Sequence, residues 1–181
     1  MSSSLHVCAR TAAGAALCWG QSMGAIPIQI MGLMSVAEIT AGADYSCARE
    51  AAATVACWGG GLAQIGALPN FQEATPIAGL SNVVELAAGE RHMCVRLTTN
   101  GVSCWGYNGQ GQLGDGTTTD RTAATPVMGL SDAVEIAAGR YHTCALRASG
   151  DVVCWGNNGS GQLGDGTTGD HYVPQPVLGL L

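Results

Sequence analysis

The chain has 181 residues, is 47% hydrophobic but only 11% charged, and carries a formal charge of −6; that length suits one domain with a sizeable core. All seven basic residues are arginine (10, 49, 91, 96, 121, 140 and 147), which leaves no lysine for a P-loop, a Schiff base or a lysine-rich nucleic-acid patch. A net negative molecule repels phosphate backbones at long range, so no nucleic-acid partner is expected. Gly, Pro, Arg or acidic residues break every apolar run well short of the roughly 18 residues that a membrane helix requires, so no membrane insertion is expected.

The N-terminal text MSSSLHVCARTAAGAALC has the look of a leader, but its early region carries no positive charge and Arg10 sits inside what would be the apolar stretch. It is better read as the first of four repeats. Each contains C-W-G, at Cys18–Gly20, Cys57–Gly59, Cys104–Gly106 and Cys154–Gly156, so Trp19, Trp58, Trp105 and Trp155 all fall in one motif. Ten residues before each of these cysteines stands another, pairing Cys8 with Cys18, Cys47 with Cys57, Cys94 with Cys104 and Cys144 with Cys154. The repeats make a single domain over 1–181, with units of approximately 1–36, 37–83, 84–133 and 134–181.

Taken in chain order, each unit reads as β-structure. Unit one opens on a hairpin with Gly14 in its turn. Unit two begins with AEITAG (37–42), and its hairpin has Ala53 at the turn position, which suggests a strained or different turn. Unit three begins with VELAAG (84–89), turns at Asn100, and continues with GQLGDGT (111–117). Unit four repeats this with VEIAAG (134–139), a turn at Gly150 and a second GQLGDGT (161–167). Phrases of the type P-x-x-G-L end the last three units. A three-residue loop, Ala148–Gly150, pairs Arg147 with Asp151 and sets Cys144 opposite Cys154 on a non-hydrogen-bonded pair, where the Cα atoms are closest. That geometry favours cross-strand disulfides. Zinc and free thiols are the competing readings; zinc sites usually draw on C-x2-C or C-x4-C knuckles, and none is present. Four disulfides imply an oxidising, extracellular or periplasmic setting.

Gly109, Gly111 and Gly114 spell G-x-G-x-x-G, the pattern of a dinucleotide-binding turn, but no helical periodicity follows and the pattern recurs as Gly159, Gly161 and Gly164. A turn used once per intact unit is a repeat feature. Gly111, Gly114, Gly161 and Gly164 are therefore expected where the chain leaves one blade for the next. His6, His92 and His142 each precede a first cysteine by two residues, with Tyr45 in that place in unit two; recurrence at one position points to a structural role rather than catalysis. His171 lies outside the series and reads as a loop residue. Glu38, Glu85 and Glu135 recur in the same way, at a strand end or between units. Asp115 and Asp165, followed by Asp120 and Asp170, could be built into a calcium loop, although D-x-D-x-D-G is absent; tight turns explain them more simply. Asn158-Gly159-Ser160 is formally a glycosylation sequon. No catalytic, cofactor or metal residues are expected beyond that minor calcium possibility.

WGYNGQGQLGDGT, P-x-x-G-L and VEIAAGRYHTCALRASGDVVCWG together resemble the repeat of the regulator of chromosome condensation family. The resemblance spans the chain and is strong in units three and four; unit one lacks GQLGDGT and unit two has GLAQIGALPN instead. It implies a β-propeller of four-stranded antiparallel blades, commonly seven. Four repeats starting in mid-unit imply an incomplete propeller, completed through association of copies into a ring or filament, or a fragment of a longer polypeptide. Two functions follow: a non-enzymatic, disulfide-stapled scaffold that binds proteins or itself outside the cytoplasm, or, as the resemblance implies, nucleotide exchange on a small GTPase. A propeller enzyme such as a glycosidase is a weaker third.

Overall fold

The computed structural model describes residues 6–60 and 70–180. It is all-β, with four antiparallel sheets. The first has three strands, β1 (His6–Arg10), β2 (Ala16–Gly20) and β3 (Gly24–Gln29). The others have four: β4 (Val36–Ala41), β5 (Tyr45–Glu50), β6 (Val55–Gly59) and β7 (Asn70–Pro76); β8 (Val83–Ala88), β9 (His92–Leu97), β10 (Val102–Gly106) and β11 (Arg121–Pro126); β12 (Ala133–Ala138), β13 (His142–Arg147), β14 (Val152–Gly156) and β15 (His171–Pro176). Most of the unit-two segment GLAQIGALPN (61–70) lies outside the described residues. β4 lies beside β8, and β8 beside β12, so the first strands of successive blades form an inner rim. The blades make an arc of a propeller rather than a closed ring.

The central hairpins explain the register. Arg147 N donates to Asp151 O at 2.8 Å, closing the turn, and alternation then places Cys144 and Cys154 on a non-hydrogen-bonded pair. Disulfides join Cys8–Cys18, Cys47–Cys57, Cys94–Cys104 and Cys144–Cys154, with Cα separations of 4.2, 4.1, 4.1 and 4.0 Å. The fourth turn residue is left-handed in every hairpin: Gly14 (φ 79°), Ala53 (φ 61°), Asn100 (φ 63°) and Gly150 (φ 94°). Ala53 thus keeps the common turn at the cost of a conformation that its Cβ disfavours.

The hydrophobic core lies between sheets. One face of each blade carries the cystine and the other carries the tryptophan, because strand side chains alternate. The cystine face of the second blade, with Tyr45, Cys47, Val55 and Cys57, packs on Met93, Val95, Leu86 and Trp105 of the third. Cys94, Cys104 and Val102 pack in turn against Trp155, Val153 and Ile136 of the fourth. Covered on both faces, β6 and β10 are buried throughout, which is why VACWG and VSCWG are apolar without the usual alternation. Trp58, Trp105 and Trp155 are fully buried, whereas Trp19, on the first blade's outer face, is half-buried.

Two sequence expectations are corrected. The GQLGDGT loops do not carry the chain from blade to blade: each joins the third and fourth strands of one sheet, β10 to β11 and β14 to β15. The passage between blades is made by the P-x-x-G-L phrases instead. His171 is not a loop residue; it opens β15, opposite Gly156.

Candidate functional site at the blade junctions

The recurring His/Tyr position belongs to the junctions. His6 Nε2 lies 2.7 Å from Ser46 Oγ of the next blade, and His92 Nε2 lies 2.9 Å from Thr143 Oγ1 of the next. At the middle junction the hydroxyl position is Met93, which cannot answer an imidazole, and Tyr45 spans the gap instead. Its hydroxyl donates to the backbone carbonyls of His92 and Gly89. The rings pack on the glycines that end the E-x-x-A-G segments: a Cβ on Gly42, Gly89 or Gly139 would overlap Tyr45, His92 or His142. Burial lowers the pKa of His92 to about 3, assisted by the charge of His142. Burial also lowers those of His6, where Asp44 opposes it, and His142. These imidazoles are neutral structural groups at neutral pH.

The glutamates bridge the same junctions. Glu38 accepts from Arg49 Nε at 3.0 Å within its blade and from Leu86 N at 3.3 Å across the junction. Glu85 repeats this with Arg96 Nε at 2.7 Å and Ile136 N at 3.1 Å. Glu135 pairs in register with Leu146 rather than arginine and is exposed.

Each GQLGDGT loop is organised by an asparagine whose part in the loop the sequence does not announce. Asn108 and Asn158 are fully buried. Asn108 Oδ1 accepts from Leu113 N at 3.0 Å, and its Nδ2 donates to Asp115 Oδ1, Thr117 O and Thr119 O. Asn158 does the same with Leu163, Asp165 and Thr167. The backbone N–H groups of both are received by Asp120 and Asp170. The Asn-Gly at the start of each loop was the available signal. Because Asn158 is buried and its amide is engaged, the sequon is not a glycosylation acceptor on the folded chain.

The loop is also unsuited to the ligands its sequence suggests. A phosphate cradle needs free N–H groups, but Gly111 N donates to Asn108 O, Gly114 N to Gly111 O and Gly116 N to Tyr172 O. Gly114 is left-handed (φ 70°) and a Cβ there would come within 2.7 Å of Trp155 Nε1. The tip thus docks on the next blade, where Gln112 O accepts from both Trp155 Nε1 (2.9 Å) and Thr143 Oγ1 (3.0 Å). Asp115 is met by Thr117 and by Arg121 Nε at 2.8 Å; partial burial works against its charge, but these donors outweigh it and hold its pKa below the usual range. Asp165 is likewise held low, first by the Thr167 backbone N–H, with His171 Nε2 at 2.6 Å. Among the described residues no three His, Cys, Asp or Glu side chains gather as a metal site.

Asp44, His6 and Ser46 have the residue types of a hydrolytic triad, and a polar pocket lined by His6, Asp44, Ser22 and Gly60 opens beside them. Ser46 is nevertheless fully buried, within 3.4 Å of Cys8 Sγ, and no substrate can reach it. Among the described residues no helix is long and apolar enough to cross a membrane.

Such junctions, repeated blade after blade, define a propeller repeat protein. Models of the regulator of chromosome condensation (RCC1) repeat match residues 83–112 and 133–162, and 101–146 and 149–181, together more than half the chain. The chain belongs to the RCC1 repeat family. Among curated protein sequences nothing matches it. Among solved structures, yeast RCC1 (Prp20) bound to Kap60 is similar over 97% of this chain and 47% of its own, with a TM-score of 0.83 at 20% identity. Human WBSCR16 is similar over 97% of this chain and 51% of its own, at 0.82 and 22%. The ectodomain of the Physcomitrella patens receptor kinase CR4 is similar over 84% of this chain and 39% of its own, at 0.60 and 26%. The chain spans about half the length of the first two.

Proposed function

We propose that this chain is a disulfide-stapled propeller scaffold that works through protein contacts in an extracellular or periplasmic setting and associates with copies of itself. The carrying observation is that all eight cysteines are consumed in four intra-hairpin disulfides, with none free. Such a set is characteristic of oxidising compartments. Likeness to a receptor-kinase ectodomain supports the same setting.

Self-association is supported by the two end faces. The fourth blade turns Cys144, Leu146 and Val152 outward, and the first turns out Val7, which is 51% exposed, with Leu17 and Trp19 half-covered. Inside the chain, equivalent faces are buried against a neighbouring blade. Uncovered apolar faces of this kind favour association, and a head-to-tail contact gives a ring or a filament according to whether its rotation closes.

Intact mass without reductant should be lower than that of the reduced chain by eight hydrogens, and sedimentation should show species larger than one chain. Eight free thiols defeat the extracellular reading. A monomer at all accessible concentrations defeats self-association and leaves the scaffold reading standing. Nucleotide exchange on a small GTPase, the alternative carried by the family resemblance, would be established by accelerated nucleotide release in the presence of this chain.

A further inference from the structure

The end of the propeller that carries the first turn of each blade bears an unusual group of side chains where the third and fourth blades meet. Tyr107 and Tyr141 stand edge to face with ring centroids 6.1 Å apart. Arg91 lies over Tyr107 at 5.8 Å and Arg140 over Tyr141 at 5.0 Å. Glu90 holds the group from below: it is paired with Arg140 and accepts from Tyr141 Oη at 2.7 Å. The backbone is tied as well, Glu90 N to Arg140 O at 3.1 Å and Tyr107 N to Arg91 O at 2.9 Å.

Arg91 differs from every other arginine. Arg49, Arg96, Arg121, Arg140 and Arg147 each pair with a carboxylate, and Arg10 donates to Val36 O. Among the described residues the Arg91 guanidinium has no hydrogen-bond partner; it is exposed, and its fork of donors is open. Its place over the Tyr107 ring leaves its N–H groups unused, and a guanidinium fork suits bidentate contact with a carboxylate.

We propose that Arg91, Tyr107, Tyr141 and Arg140 form a docking site for an acidic, aromatic-bearing segment of a partner protein, with Arg91 receiving the carboxylate and Tyr107 and Tyr141 the neighbouring apolar surface. The proposal deepens the protein-contact reading above and is independent of self-association. Arginine and tyrosine are the residue types that dominate binding energy at protein interfaces, and a patch already held by Glu90 loses little freedom on binding. Glu90 neutralises Arg140, so the patch carries one net positive charge on a molecule of −6. A single open cation suits a carboxylate; a nucleic-acid backbone needs a track of them.

The test uses two labelled peptides of equal length, one alternating Glu and Tyr and the other Gln and Tyr, together with an oligothymidylate. The wild-type chain should bind the Glu peptide about tenfold more tightly than the Gln peptide, as expected for a charge-assisted contact. Arg91→Ala should abolish that preference and Arg91→Lys should restore only part of it. Near-ultraviolet circular dichroism and sedimentation of the variants should match wild type, which separates loss of the site from loss of fold or assembly. Equal binding of the two peptides, a preference that survives Arg91→Ala, or tighter binding of the oligothymidylate than of the Glu peptide overturns the proposal.

Discussion

His92 and Thr143 stand one residue apart in the repeat pattern but in different blades, with Nε2 2.9 Å from Oγ1 in a site closed to solvent. Thr143 passes the contact on to Gln112 O at 3.0 Å, so the third blade grips the fourth from both its hairpin and its GQLGDGT loop.

This junction makes the fold sensitive to acid. The folded His92 has its pKa lowered to about 3, so between that value and the ordinary 6.5 the unfolded state binds a proton that the folded state does not. Stability therefore rises with pH across that window and is level above it. By pH 5 the loss should be on the order of 2 kcal/mol from this residue alone, with His6 and His142 adding in the same direction. Thermal melts from pH 7 to pH 5 should show a falling midpoint, with a shallower slope in His92→Gln. Equal slopes would rule out His92 as the source.

Ala53 offers a stabilising change. A left-handed alanine costs roughly 1–2 kcal/mol, while added chain freedom from glycine costs roughly 0.5–1 kcal/mol. Since Ala53 sits at φ 61°, Ala53→Gly should raise the denaturant midpoint by the equivalent of about 0.5–1 kcal/mol. An unchanged or lower midpoint contradicts the strain reading.

The disulfides should not reduce together. Cys18, Cys47, Cys57, Cys94 and Cys104 are fully buried between blades, and Cys8 packs on that side of the first blade, whereas Cys144 is half-exposed on the outward face of the fourth. Limited reduction followed by alkylation and mass analysis should label Cys144–Cys154 first, because exchange needs access to sulfur. Simultaneous labelling of all eight would mean that blades separate before any disulfide reacts.

Asp115 and Asp165 should behave as loop braces. Chelation by EDTA is expected to leave the melting temperature unchanged, since their oxygens already receive donors from Asn108, Thr117 and Arg121, and from Asn158 and Thr167, with His171 Nε2 beside Asp165. Asn108→Ala removes the hub of one loop and should cost several kcal/mol, at about 1–3 kcal/mol for each buried group left unpaired. A chelation-dependent drop in melting temperature would revive calcium.

Much of the blade was legible because its determinants are short-range. Cys144 opposite Cys154 follows from the length of the loop between them, and Arg147 to Asp151 closes it whatever the rest of the chain does. Alternation then decided that cystine and tryptophan take opposite faces. Recurrence put Glu38, Glu85 and Glu135 at a strand end or between units, and the structure gives the junction contact to the first two. The GQLGDGT loop was misplaced because a repeating pattern has no marked beginning: the same text fits a link within a blade or between blades, and only strand pairing distinguishes them.

By itself, then, the sequence determined the repeat, the hairpins and the disulfide partners, all of which depend on residues within about a dozen positions. What each side chain meets across a junction was decided by the tertiary structure. His92 finds Thr143, and Glu90 finds Tyr141, each 51 residues further on, because stacking of sheets sets those distances. The Arg91–Tyr107–Tyr141 patch has the same origin: three loops, unremarkable in order along the chain, converge only once the third and fourth blades are packed.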